Sequence, residues 1–529
     1  MVSSCSRRAR MLFKVICVSA SILVAADAAF AKQAMNAADL DRVVARAMET
    51  YSVPGVAVGV VKDGKLVVSK GYGVRETGKP GKVDADTLFA IGSNTKAFTT
   101  AALAILVDEG KIHWDDKVID YLPEFRLYDP YVTREFTLRD LLTHRSGLGL
   151  GAGDLLFVPA TDLTRSDILH ALRNLKPVSS FRSQFDYDNL LYVVAGEIIP
   201  AVTGLSWEDF VENRILHRLG MEPCAVNMAR VKDRADVAAP HAEVDGQLKA
   251  IAVQDLQLVG PAGSIQCNIN GMAKWMQAQL SGGKLASGGS LFSAEQQQEM
   301  WAPQTLQRTL SDFDKVNGTH FKAYGLGWGL SDLHGYKQVA HNGGVLGMVS
   351  RVVIIPELNL GVVVLTNQQN VSALMSIAMQ VVDAYTGAAK RDWITYFKQM
   401  DEKMRQGDVA AQAQIQRPAD VSAVKPTLPL EAYVGEFHDA WRGDAAVRLD
   451  GGRLILKFSH TNGLEGVLEP YSGNIFVVRW NDRSLNADAY VRFSQDFGAA
   501  KIDGMTLRAV LPSTDFSFDF QDLDFRKIR

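Results

Sequence analysis

Apolar residues recur at helical spacing where the first regular pattern begins: Leu40, Val43, Val44, Ala47 and Met48 predict an amphipathic helix. The pattern then changes to two β-branched runs, Val56 to Val61 and Leu66 to Lys70, joined by Lys62-Asp63-Gly64-Lys65. An Asp-Gly turn between such runs predicts a hairpin. Strand-like runs return at Val349 to Ile355 and Gly361 to Thr366, with helical stretches in between. Strands from both ends of one region, with helices between them, predict an α+β fold: an antiparallel sheet flanked by helices as an α/β sandwich. Such a sheet closes within residues 32–388, and this region is expected to fold without the rest of the chain.

Residues 389–425 lack turn signals at first and read as a helical connector, which Pro418 breaks. From residue 426 to 529 the texture is short alternating runs: Ala446 to Leu449, Arg453 to Phe458, Ile475 to Trp480, Ala489 to Phe493, Met505 to Val510 and Phe516 to Phe520. Asp450-Gly451-Gly452 and Ser472-Gly473-Asn474 supply turns, and the whole predicts a small all-β barrel.

The first 31 residues have a different character. Arg7, Arg8, Arg10 and Lys14 precede the apolar run Val15 to Ala26, and Ala29-Phe30-Ala31 offers small residues for cleavage. This pattern predicts a signal peptide removed after Ala31 and a periplasmic or secreted protein, with the export route open. The apolar run is shorter than the ~20 residues of a membrane-spanning helix. Cys224 and Cys267 remain after cleavage, and both a disulfide and two buried thiols fit them. The formal net charge of −3 gives no electrostatic reason to expect a nucleic-acid partner.

Chemistry is concentrated in three places. Ser93-Asn94-Thr95-Lys96 follows the strand-like Leu88 to Ile91 and opens the apolar segment Ala97 to Val107. Positions i and i+3 of a helix share a face, so a desolvated Lys96 could take the proton of Ser93. Alone, the pattern also fits a helix cap and a solvated lysine. Tyr187-Asp188-Asn189 opens a second apolar helix, Leu190 to Ile199; a phenol can relay a proton and an amide can hold a substrate carbonyl. His341-Asn342-Gly343-Gly344 precedes the strand at Val349, where glycines let a substrate backbone lie close and a free N–H can complete an oxyanion hole.

In this order the three elements resemble the serine beta-lactamase-like superfamily of penicillin-recognising enzymes: Ser-x-x-Lys, then Tyr-x-Asn, then a His-x-Gly variant of Lys-Thr-Gly. The resemblance includes Thr137 to Leu148, Pro261-Ala262-Gly263 and Tyr324-Gly325-Leu326-Gly327-Trp328. It is nearest the group of class C beta-lactamases, D-alanyl-D-alanine carboxypeptidases, D-aminopeptidases and family VIII esterases. The C-terminal region resembles the lipocalin-like domain that follows some of them.

The resemblance implies that Ser93 is the acylated nucleophile, Lys96 its base and Tyr187 the proton relay. Asn189, His341, Gly343 and Gly344 then contact substrate, with the N–H groups of Ser93 and Gly344 as the oxyanion hole. His144 belongs to the scaffold. The expected activity is that of an exported serine hydrolase acting on amide bonds of small or unusual peptides, including D-residue-containing or linearised cyclic ones. A carboxylesterase or beta-lactamase uses the same machinery, and a non-catalytic receptor for cell-wall fragments is the alternative of another class. His113-Trp114-Asp115-Asp116 lacks zinc-site spacing, and no phosphate-binding glycine loop is present, so neither metal nor cofactor is expected. Oligomeric state is not legible.

Overall fold

The computed structural model describes residues 35–415, 425–496, 498 and 501–529. The expected signal peptide and the break at Pro418 lie outside the described residues. Strands β1 (Gly55–Lys62) and β2 (Lys65–Gly73) come from the start of the hydrolase-like region. The rest of its sheet comes from the end: β3 (Thr305–Leu306), β4 (Lys322–Tyr324), β5 (Gly329–Leu333), β6 (Tyr336–Val345), β7 (Met348–Ile355) and β8 (Leu360–Thr366). They form one eight-stranded antiparallel sheet in the order β2-β1-β8-β7-β6-β5-β4-β3.

Helices cover both faces. On one, Leu40, Val44 and Ala47 of α1 (Ala37–Tyr51) pack with Val56, Val58, Val353 and Val364. Helices α5 (Val371–Thr386) and α6 (Trp393–Ile415) complete this layer through Ile377, Val381 and Trp393. On the other face lie α2 (Thr95–Asp108), α3 (Leu190–Thr203) and α4 (Ile269–Leu280). Ala101, Val194 and Met272 join Ala57, Val352 and Val363 there. Because each face is covered, β7 and β8 are buried along their full lengths, which explains their near-continuous apolar sequence.

Cys224 and Cys267 are joined as a disulfide. It staples the short strand Gln266–Cys267, whose partner Phe89–Ala90 leads into Ser93.

The C-terminal region is a closed eight-stranded barrel: β9 (Gly435–Asp439), β10 (Gly443–Asp450), β11 (Arg453–Phe458), β12 (Glu465–Ser472), β13 (Ile475–Trp480), β14 (Ala489–Gln495), β15 (Ile502–Ala509) and β16 (Phe525–Lys527). Phe437, Leu456, Phe476, Val491 and Phe525 fill its interior. One expected strand is absent: Phe516 to Phe520 alternates like a strand but runs as turn and irregular chain between β15 and β16. Phe518 and Phe520 close the barrel core, while Phe516 turns outward, so the period of two reflects packing at a barrel mouth.

The expectation that residues 32–388 fold alone stands against several contacts between this region and the barrel. Leu155, Leu156 and Phe157 belong to one continuous buried cluster with Phe518 and Phe520. His460 Nδ1 meets Asp162 at 2.6 Å, Asn174 Nδ2 donates to the Ala440 carbonyl at 2.7 Å, and Gly463 lies against Pro159. The sheet is built from its own region's strands, while the helical layer shares its buried cluster with the barrel. Deleting residues 426–529 would uncover this apolar surface, at roughly 25 cal/mol per Å² of lost burial. The truncated chain is expected to melt at lower temperature or to aggregate in differential scanning calorimetry; an unchanged melting temperature would show the two regions to be separable.

Candidate active site

The nucleophile candidate sits at a junction of tightly packed backbone. Ser93 lies in the turn Gly92–Asn94 that runs from the strand Phe89–Ala90 into α2. Gly92 has φ +52°, and a Cβ there would stand 2.6 Å from the Gly344 nitrogen. A Cβ at Gly343 would stand 1.9 Å from the Ile91 carbonyl oxygen, so only glycine lets β6 approach the turn. Ser350 Oγ donates to that same carbonyl at 2.6 Å and accepts from Asn94 Nδ2 at 2.7 Å. A Cβ at Gly344 would meet open space, while its nitrogen lies against Gly92.

Lys96 is fully buried, one helical turn from Ser93. Its Nζ donates to Ser93 Oγ at 3.0 Å, to Asn189 Oδ1 at 2.7 Å and to the Ala262 carbonyl at 3.0 Å. It lies 4.9 Å from the Tyr187 ring centroid and 5.2 Å from that of Tyr192. Burial lowers its pKa to about 7, against the opposing pull of Asp154 and Asp188. A neutral amine therefore becomes abundant near neutral pH. The landmark Pro261-Ala262-Gly263 supplies one of its three acceptors, and Thr99 Oγ1 secures that segment by donating to the Pro261 carbonyl at 2.6 Å.

The Tyr187 phenol lies beside the Ser93 hydroxyl, and burial holds it protonated well above its ordinary range. His144 is packed behind it with ring centroids 4.3 Å apart. His144 Nδ1 accepts from the Asp188 N–H at 3.1 Å, and burial pushes its pKa far down. That is the geometry of a wedge that seats Tyr187. Asn189 is oriented by both its partners: its oxygen faces the Lys96 ammonium, and its Nδ2 donates to Asp154 Oδ2 at 2.8 Å. The reverse assignment would set donor against donor and acceptor against acceptor.

His341 is buried, and its two ring nitrogens are both engaged. Nδ1 faces the Asn342 carbonyl at 2.5 Å and Nε2 faces the Tyr324 hydroxyl at 2.8 Å. These partners assign the proton to Nδ1, with the Tyr324 hydroxyl donating to Nε2. Burial, reinforced by nearby Lys96, lowers its pKa to about 3, so the ring is neutral wherever the protein is folded near neutrality. The structure thus brings Ser93, Lys96, Tyr187, Asn189, His341, Gly343 and Gly344 together. Asp115 and Asp116, by contrast, are taken up by Arg139, Tyr121 and the His113 N–H.

One residue here carried no sequence signal that was read. Asp154 lies in the run Gly149-Leu150-Gly151-Ala152-Gly153-Asp154, and it fixes the Asn189 amide. A carboxyl amid small residues, where another surface can approach closely, was the available clue.

Known proteins agree with this architecture. Residues 40–384 match the beta-lactamase family, and residues 419–527 match a domain of unknown function, DUF3471. An unguisins hydrolase of Aspergillus campestris is 28% identical over 463 residues, covering 83% of this chain and 84% of its own. A second, from Aspergillus violaceofuscus, is 26% identical over 90% of this chain and 84% of its own. Protein flp of Staphylococcus aureus is 25% identical over 62% of each chain. The octameric penicillin-binding protein homologue from Pyrococcus abyssi shares the fold, with a TM-score of 0.59 at 21% identity over 93% of this chain and 100% of that one. The chain belongs to the beta-lactamase family of serine hydrolases, its match spanning residues 40–384 ahead of the β-barrel.

Proposed function

We propose that the protein is an exported hydrolase that cleaves amide bonds of small peptides through an acyl-enzyme on Ser93. The observation that carries this reading is the desolvated Lys96, hydrogen-bonded to Ser93 Oγ at 3.0 Å. Neutral Lys96 takes the hydroxyl proton as Ser93 Oγ attacks the carbonyl carbon. The N–H groups of Ser93 and Gly344 receive the oxyanion. Tyr187, protonated and beside Ser93, hands a proton to the amine nitrogen as the C–N bond breaks and is reprotonated from Lys96. Water then attacks the acyl carbon as its proton passes to Lys96, the bond to Ser93 Oγ breaks to release the acid, and Lys96 returns the proton to Ser93 Oγ.

Three features support a peptide substrate. A neutral His341 offers no fixed charge for the carboxylate of a beta-lactam. The exposed side chains of Leu150 and Phe516 give the neighbourhood of the site apolar surface. Two relatives are named for hydrolysing unguisins. An ester passes through the same steps and serves as a convenient probe. A receptor has no use for a desolvated base beside a serine, which weighs against the non-catalytic reading.

Ser93→Ala and Lys96→Ala are each expected to lower kcat by about three orders of magnitude or more, and combining them to add little, because residues of one catalytic unit lose most of their effect together. Steady-state rates on aminoacyl amides and p-nitrophenyl esters check this. Losses that multiply in the double variant would contradict a shared acylation step.

The pH profile depends on which form of each group works. Lys96 acts when neutral, so kcat/KM should rise with pH through a midpoint near its pKa of about 7 and then level off. Tyr187 acts when protonated and stays so well above the ordinary phenol range, so no alkaline fall is expected below that range. His341, titrating near 3, leaves no inflection of its own. An acid limb centred near the ordinary lysine pKa of ~10.4 would show Lys96 charged and remove it as the base.

Export is read from the pattern of residues 1–31 and is supported by the Cys224–Cys267 disulfide, since such bonds persist in oxidising compartments. Edman sequencing of the periplasmic or medium fraction is expected to begin at Lys32. A chain retained in the cytoplasm with its first 31 residues intact would refute export.

A further inference from the structure

The barrel reaches the active site through the segment between β15 and β16, at three adjoining points. Ser517 Oγ donates to Asp154 Oδ2 at 2.8 Å, on the oxygen that also accepts from Asn189. Asp519, almost fully buried, accepts from the Gly153 N–H at 2.8 Å and the Leu155 N–H at 3.0 Å, and so clasps the main chain on both sides of Asp154. Phe516 covers Gly151, where a Cβ would stand 2.7 Å from its ring, and meets the Tyr187 ring edge-on with centroids 6.0 Å apart.

The clasped loop is itself tied to the catalytic side chains. Gly151 N–H donates to the Tyr187 carbonyl at 2.8 Å. Asp154 holds Asn189 Nδ2, which turns Asn189 Oδ1 toward Lys96 Nζ at 2.7 Å. A continuous path of hydrogen bonds thus runs from Ser517 of the barrel through Asp154 and Asn189 to Lys96 and Ser93.

We infer that Ser517, Asp519 and Asp154 are positioning residues for the hydrolase reaction, and that the barrel completes the active site by holding the Asn189 amide and hence the amine of Lys96. The inference rests on the reading of Ser93 and Lys96 as nucleophile and base. Its physical basis is that Lys96 sits in a low-dielectric site where an unmet polar contact is expensive, so Nζ stays directed at Ser93, donating as an ammonium and accepting once it is an amine, only if its contacts with Asn189 and Ala262 are fixed. Fixed second contacts of this kind act on the rate of proton transfer more than on substrate affinity. Coupling along such a path is established by substitution rather than by adjacency.

The test uses the full chain. Wild-type protein is first treated with a fluorophosphonate and digested, and mass spectrometry should find the adduct on Ser93. Asp154→Ala, Asp154→Asn, Ser517→Ala and Ser517→Thr are then compared in steady-state hydrolysis of p-nitrophenyl butyrate, with circular-dichroism melts. Asp154→Ala is expected to lower kcat about tenfold or more and Ser517→Ala about threefold to tenfold, each with KM within about twofold, the size of one buried hydrogen bond. Asp154→Asn and Ser517→Thr keep an acceptor and a hydroxyl and should recover most of the loss. Asp519→Asn keeps only one of the two acceptors for the clasped N–H groups and should fall in kcat as Ser517→Ala does. A labelled wild type whose variants keep their kcat overturns the inference alone. So do losses that merely track the folded fraction, or losses that the conservative variants fail to recover. A wild type with no adduct at Ser93 removes the reading of the site, and the inference falls with it.

Discussion

The amine of Lys96 has been taken out of water, and the rest of the site is arranged around that constraint. An ammonium in such a place is destabilised, and three acceptors, the Ser93 hydroxyl, the Asn189 amide and the Ala262 carbonyl, share its hydrogens. They accept without carrying charge, so they hold the amine without restoring its ordinary basicity. Asp154 and Asp188 lie close enough to oppose the shift and too far to form an ion pair with it. The outcome is a base poised near neutrality, the condition under which a serine hydroxyl can be activated without a metal or histidine.

The same constraint explains why backbone packing around the site is so tight. Gly92 and Gly343 let the turn at Ser93 and strand β6 touch, and Gly327, at φ +78°, lets the loop before β5 pass over the carbonyl of Lys96. Tyr324 and Tyr192 wall the remaining side, and Tyr192 anchors itself by donating to the Leu142 carbonyl at 2.7 Å. His341 is neutralised by the same dry surroundings. Where lysine would place a charge of its own, His341 places a neutral ring, with the Arg351 guanidinium held nearby on Asn342 Oδ1.

Much of this was legible in the sequence because it is local. Ser93 and Lys96 stand one turn apart ahead of an apolar helix, Tyr187 and Asn189 open another, and the hairpin at Asp63-Gly64 announces β1 and β2. What was hidden depends on contacts between distant segments. Ser517 and Asp519 lie more than 360 positions from Asp154 and Gly153, inside an alternation that reads as a strand. The contacts between the barrel and the helical layer were hidden for the same reason: the strand pattern shows where the sheet's strands lie, but not which loop the barrel covers. The state of Cys224 and Cys267 likewise turned on the proximity of their backbones, with Cα atoms 4.3 Å apart.

The central claim is that Lys96 loses its proton near neutral pH in the folded protein. Nitrogen-detected NMR of protein grown on side-chain-labelled lysine, with the Lys96 signal assigned by its loss in Lys96→Arg, measures this without reference to any substrate. Followed from about pH 5 to about pH 11, most lysine signals are expected to titrate near ~10.4. The Lys96 signal should instead change from ammonium to amine with a midpoint near 7. A midpoint shared with the surface lysines would mean that the amine is charged at working pH, and would contradict the account at its base.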